Sequence, residues 1–70
     1  MSNKGKHIYY CHATFLSIFF KDIKYLTVMA SSDEEAINKA KEQFEHMANM
    51  FSGITYKDLV VQNNKRIKVN

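Results

Sequence analysis

Ser32-Asp-Glu-Glu-Ala-Ile-Asn-Lys-Ala-Lys-Glu-Gln-Phe-Glu-His-Met-Ala-Asn-Met-Phe51 is the stretch around which the rest of the chain is read. Ser32 is a good N-cap, and Glu35 follows three residues on, which makes a capping box. Asp33 and Glu34 suit the positive end of a helix dipole. Ile37, Ala40, Phe44, Met47, Ala48 and Phe51 recur at helical spacing and make one apolar stripe. Glu35–Lys39 and Lys41–Glu45 are i,i+4 pairs on the opposite, wet side. Gly53 fits a left-handed cap after the last turn.

The segments on either side have a different character. His7 to Phe20 is rich in Tyr, Ile, Phe and Thr, which favour strands. Fourteen residues is long for one strand, so a bulge or bend is expected in it. Lys21-Asp22 is the only polar break before the next apolar run, Ile23 to Ala30, and reads as a hairpin tip. After the helix, Ile54 to Gln62 reads as a strand. Asn63-Asn64 can take positive φ and close a two-residue hairpin. Lys65 to Val69 alternates polar and apolar, as a half-buried strand does. The expected order is ββαββ, an α+β fold with one helix on an antiparallel sheet of about four strands.

This layout leaves surplus apolar surface. One face of the first strand would carry Ile8, Tyr10, Leu16, Ile18 and Phe20. The other would carry Tyr9, Cys11, Ala13, Phe15 and Phe19. A single helix covers only one of these sets. The uncovered one would then be an aromatic patch of the kind that marks an interaction surface.

Composition narrows the function classes. The chain has 70 residues, 46% of them apolar, with two glycines, no proline and one cysteine. That length fits one domain, residues 1–70, with the polar residues 1–6 frayed. Lone Cys11 excludes an internal disulfide framework. So short a chain can hardly wall a deep catalytic cleft. Lys4 and Lys6 before an apolar run mimic a secretory signal. However, Tyr, His, Thr and Ser interrupt the run, and Lys21, Asp22 and Lys24 follow it. The run is also too short to cross a bilayer as a helix. A cytoplasmic protein with a reduced thiol and no membrane partner is expected. The net charge is +3, but residues 32–51 carry five acids and two lysines, and the remainder eight bases and two acids. Such segregation can steer a charged partner.

Reactive chemistry finds little support. His7, Cys11 and His12 are metal-ligand types, yet neighbours on a strand point to opposite faces. Cys11 as a nucleophile needs a base and an electropositive pocket. Glu42 and Glu45 fall on the wet helix face beside lysines. No glycine-rich phosphate loop exists. The expectation is therefore no catalytic residue, no metal, no cofactor and no enzyme activity.

The C-terminal hairpin is the better candidate. With Asn63-Asn64 as its loop, Val61 faces Arg66 and Leu59 faces Lys68. Lys57, Arg66 and Lys68 then share one sheet face with Lys65 at its margin, and Val60 and Ile67 point toward the helix. Basic side chains on an open sheet can meet an acidic protein groove or contact phosphates. They can also serve only to keep edge strands from pairing.

The stretch Ala30 to Phe44, then Gly53 and two strands, resembles small phage-encoded inhibitors of host defence, notably some type I anti-CRISPR proteins. The resemblance implies a binding role, often steric, against a nuclease or a nucleic-acid-guided complex, in the host cytoplasm. It transfers no functional residue. Together these readings favour a non-enzymatic inhibitor that binds a larger protein or nucleoprotein complex through Lys57, Lys65, Arg66 and Lys68. The alternatives are a small nucleic-acid-binding domain using the same face, and a homo-oligomer that buries the apolar sheet face.

Overall fold

A computed structural model describes residues 5–69. The elements run β1 (His7–Leu16), β2 (Lys21–Ala30), α1 (Asp33–Asn49), β3 (Thr55–Gln62) and β4 (Arg66–Val69). This is the expected ββαββ order, with one helix on a four-stranded antiparallel sheet. Strand order is β2-β1-β3-β4, so α1 carries the chain from the outer strand β2 across to the far side of β1. The fraying expected at residues 1–6 lies mostly outside the described residues.

The helix begins as its sequence dictates, with one change. Ser32 is extended, and its Oγ accepts from the Glu35 N–H at 3.1 Å. Glu35 reaches back one residue further than a capping box would place it. Its carboxylate accepts from the N–H and the hydroxyl of Ser31, at 2.9 and 2.8 Å. The helix ends at Asn49, and Met50 caps it in right-handed geometry. Gly53, at φ 78°, turns the chain into β3 instead of capping α1. Phe51, expected on the buried stripe, lies past the last turn and is 61% exposed.

The buried helix stripe is Ala36, Ala40, Phe44 and Ala48, flanked by Ile37 and Met47. Three alanines let the helix lie close to the sheet, whose facing residues include Cys11, Ala13 and Ala30. Phe44 is the one large residue of the stripe, and it is fully buried. Its ring meets Phe15 and Tyr56 at centroid distances of 5.7 and 6.0 Å. The helix thus covers the Tyr9, Cys11, Ala13 and Phe15 face of β1, with Val28, Leu59 and Val61 beside it.

Two turn predictions are corrected. Leu16 pairs with Lys21 and Phe15 with Asp22, so Lys21-Asp22 belongs to β2. The hairpin tip is Ser17-Ile-Phe-Phe20. The Ser17 hydroxyl holds it by accepting from the N–H groups of Phe19 and Phe20, at 3.0 and 3.2 Å. In the second hairpin, Gln62 pairs with Arg66, leaving three residues in the loop, Asn63 to Lys65.

Of the bulge or bend expected in the run His7 to Phe20, the bend is the Ser17 turn after Leu16, and a bulge lies in β3 instead. Cys11 pairs with Val61 and His12 with Val60, but Thr14 pairs with Lys57. Two residues of β3, Asp58 and Leu59, therefore stand opposite Ala13. Asp58 takes φ 57°, a left-handed conformation that Asp tolerates better than most residues. This extra residue reverses the facing of β3 below it. Leu59 and Tyr56 consequently both reach the core, although their separation along the chain is odd.

Candidate functional site

The candidate site is the sheet face that α1 leaves uncovered. Its side chains follow from the register as rows across the strands. One row runs Arg66, Gln62, Tyr10, Thr27. The next runs Lys68, Val60, His12, Tyr25. A third runs Lys57, Thr14, Ile23. Each row starts with a base on β3 or β4 and ends with a β-branched or aromatic residue on β2. Ile8 and Met29 extend the apolar side as a further cross-strand pair.

Local geometry shapes this face. His12 and Tyr25 sit directly opposite, with ring centroids 5.7 Å apart and tilted by 48°. Tyr10, Tyr25, Ile8, Ile23 and Met29 are all exposed. Val60 and Thr14 are buried at its centre. Around them, His12, Ile23, Arg66 and Lys68 line a shallow depression of about 360 Å³. Arg66, Lys68 and Lys57 form no ion pair among the described residues.

The four residues singled out from sequence divide three to one. Lys57, Arg66 and Lys68 share the open face, as expected, but through a different register. The hairpin is shifted by one residue, so Lys68 pairs with Val60 and Ile67 with Val61. Val60, expected toward the helix, lies on the open face. The shift alone would have separated Lys57 from Arg66 and Lys68. The β3 bulge at Asp58 moves Lys57 back onto their side.

Lys65 belongs elsewhere. Its Nζ lies 2.9 Å from Asp33 Oδ2, at the helix N-terminus. Tyr9 donates its hydroxyl to Asp33 Oδ1 at 2.8 Å. Lys65 and Tyr9 both hold the Asp33 carboxyl below its ordinary range, Lys65 more strongly. Beside them, Glu35 accepts from Ser31 and lies 3.1 Å from Lys39 Nζ. These contacts, those with Ser31 above all, hold its carboxyl down at about 2. The cluster clasps the second hairpin, β1 and the helix start together.

The chemistry read from Cys11 and the histidines also finds its place. Cys11 is buried on the helix face, and burial pushes its thiol up to about 11. His12 lies on the opposite face and His7 is exposed at the start of β1. Among the described residues, no three His, Cys, Asp or Glu side chains converge as a metal site. No described helix is long and apolar enough to cross a membrane.

Sequence reasoning missed one further surface. The Ser17 turn projects Ile18 and Phe19, 90% and 87% exposed, beyond the sheet. Phe20 turns back toward Met50 and Phe51, across an apolar groove of about 630 Å³ floored by Phe15, Met47 and Ile54. The available signal was Ser17 ahead of three apolar residues, since a serine hydroxyl can close a turn that carries no Gly or Asn.

Comparison with known proteins finds no matching family model, no similar curated protein and no similar solved structure.

Proposed function

We propose that this chain is a non-catalytic binding domain that sterically blocks a larger protein or nucleoprotein complex through its open sheet face. One observation carries the reading. A single helix covers one side of the sheet, while the other presents exposed tyrosines and aliphatics beside three bases that form no ion pair among the described residues. Aromatic residues and arginine are the usual anchors of protein interfaces. A base-rimmed aromatic face suits an acidic, partly apolar surface, because complementary charge speeds encounter and apolar contact slows release. The resemblance to phage-encoded anti-defence inhibitors agrees with this mode. The buried, weakly acidic Cys11 thiol suits a binding role in a reducing cytoplasm better than nucleophilic catalysis.

A second reading rests on the same rows. Tyr10 and Tyr25 present rings, and Arg66 and Lys68 present cations, as single-strand binders do for bases and phosphates. Capture from host lysate with and without nuclease separates the two. A stoichiometric protein retained after digestion supports the inhibitor. Recovery of nucleic acid, with proteins lost on digestion and steep salt dependence, supports the alternative.

A further inference from the structure

β2 is ten residues long and is an outer strand of the sheet. Ser17 N–H donates to the Phe20 carbonyl at 2.9 Å, which fixes the alternation of hydrogen-bonded pairs along the first hairpin. By that alternation, Ile23, Tyr25, Thr27 and Met29 direct their N–H and C=O groups away from β1. Two contacts agree. Asp22 Oδ1 accepts from the Ile23 N–H at 2.9 Å, and Lys39 Nζ donates to the Met29 carbonyl at 2.6 Å. Between them, the Ile23 carbonyl, both groups of Tyr25, both groups of Thr27 and the Met29 N–H have no partner among the described residues. Such an edge is a template for another strand.

We infer that two copies of this chain join β2 to β2, antiparallel, about a two-fold axis at Leu26. The warrant is that the edge is self-complementary in that register alone. Tyr25 then faces the partner's Thr27, and Ile23 faces the partner's Met29. Every free donor meets a free acceptor. The two occupied groups also meet each other, because the Ile23 N–H faces the partner's Met29 carbonyl. Their present occupants, the Asp22 carboxylate and the partner's Lys39 ammonium, carry opposite charge and come together across the interface, twice by symmetry. Centring the pair on Ile23, Tyr25 or Thr27 sets a free group against an occupied one. Centring it on Lys24 sets the free Tyr25 carbonyl against the occupied Ile23 N–H, and centring it on Val28 sets the free Thr27 N–H against the occupied Met29 carbonyl.

The side chains fit the same register. On the open face, Ile23 packs beside the partner's Met29 and Tyr25 beside the partner's Thr27, both favourable cross-strand pairs. On the helix face, Leu26 meets the partner's Leu26, and no like charges stand opposite. The helix lies over the middle of its own sheet, against β2 and β3 on either side of β1. Three strand spacings, about 14 Å, therefore separate the two helices, which exceeds the roughly 8–10 Å of packed ones. The result is an isologous dimer with one eight-stranded sheet. Its open face has aromatic residues at the centre and bases at both outer flanks. This inference stands independently of the proposed inhibitor role.

Sedimentation of the full chain, with cysteine cross-linking, tests it. Leu26→Cys places two thiols on the axis, in a pair with Cα atoms about 4.5 Å apart, within disulfide range. Mild oxidation should give a covalent dimer in high yield. Met29→Cys should not, since its two copies lie about 20 Å apart along the paired strands. Cys11 is buried and does not compete. Thr27→Pro removes an outward donor without touching the β1 ladder, and should give a folded monomer. Asp22→Lys should weaken the dimer several-fold, and adding Lys39→Asp should restore it; this pair decides if either strand variant fails to fold. A monomer at every soluble concentration would overturn the inference. So would a dimer in which Met29→Cys cross-links as readily as Leu26→Cys. A dimer that survives Thr27→Pro but is lost in Tyr25→Asp would place the contact on the open face, and would overturn it equally.

Discussion

Phe44 and Phe51 occupy the same stripe when the helix is read from sequence, yet only Phe44 is part of the core. Replacing each with alanine separates the two. Phe44 is fully buried against Phe15 and Tyr56, while Phe51 is 61% exposed. Core Phe→Ala changes cost about 3–5 kcal/mol. The upper half of that range applies, because the alanines on either side of Phe44 cannot move in to fill the space. The ring contacts with Phe15 and Tyr56 are part of that cost, about 0.5–1.5 kcal/mol per aromatic pair. Phe51→Ala removes a side chain that is mostly in water, so about 1 kcal/mol or less is at stake. A domain of 70 residues holds roughly 4–10 kcal/mol in total, so the first change brings it to the margin of folding. Urea unfolding followed by far-UV circular dichroism reads the difference. With a slope of about 1 kcal/mol per molar, Phe44→Ala should lose several molar of midpoint, or be unfolded without urea. Phe51→Ala should lose about 1 M at most. Equal losses, or a larger loss for Phe51→Ala, would refute this account of the core.

Other outcomes follow from particular contacts. Asp58→Val should destabilise by about 1–2 kcal/mol, because a β-branched residue resists positive φ, whereas Asp58→Gly should be close to neutral in the same urea assay. Glu35 has a folded pKa of about 2 against an ordinary value of 4.5. Its contribution is therefore complete above about pH 4.5 and fades as the pH falls toward 2. Glu35→Gln should flatten the acid limb of stability measured across that window. Cys11 should resist a thiol reagent at neutral pH in the native state and react fully in urea, since its thiol is buried and held at about 11. Arg66→Glu with Lys68→Glu should abolish partner capture and leave the circular dichroism spectrum unchanged, because both side chains are exposed and outside the core.

The element order and the helix were legible because their signals are local: a serine cap, acids in the first turn, and a stripe at helical spacing. The apolar excess on β1 was equally legible, since a two-residue period needs no knowledge of partners. What escaped was one local turn signal and several features set by tertiary context. Lys21-Asp22 looked like the hairpin tip because it is polar, but the turn is made by a serine hydroxyl beneath three exposed apolar residues. The second hairpin reads as a two-residue loop from Asn63-Asn64, yet Lys65 is drawn into the loop, where it pairs with Asp33. That contact comes from the helix, more than thirty positions earlier in the chain. The grouping of Lys57, Arg66 and Lys68 was reached although the register was off by one, because the bulge at Asp58 cancels the shift. No composition signal marks that bulge, and no residue pattern places Lys65 away from its neighbours.

The most direct test of the sheet-face role is a quantitative capture from nuclease-treated lysate with three baits. These are the unaltered chain, Arg66→Glu with Lys68→Glu, and a helix-face control, Glu42→Lys with Glu45→Lys. One stoichiometric protein is expected on the unaltered chain and on the helix control, and its loss from the sheet-face variant while that variant stays folded. Retention by the sheet-face variant, or loss from the helix control instead, would contradict it.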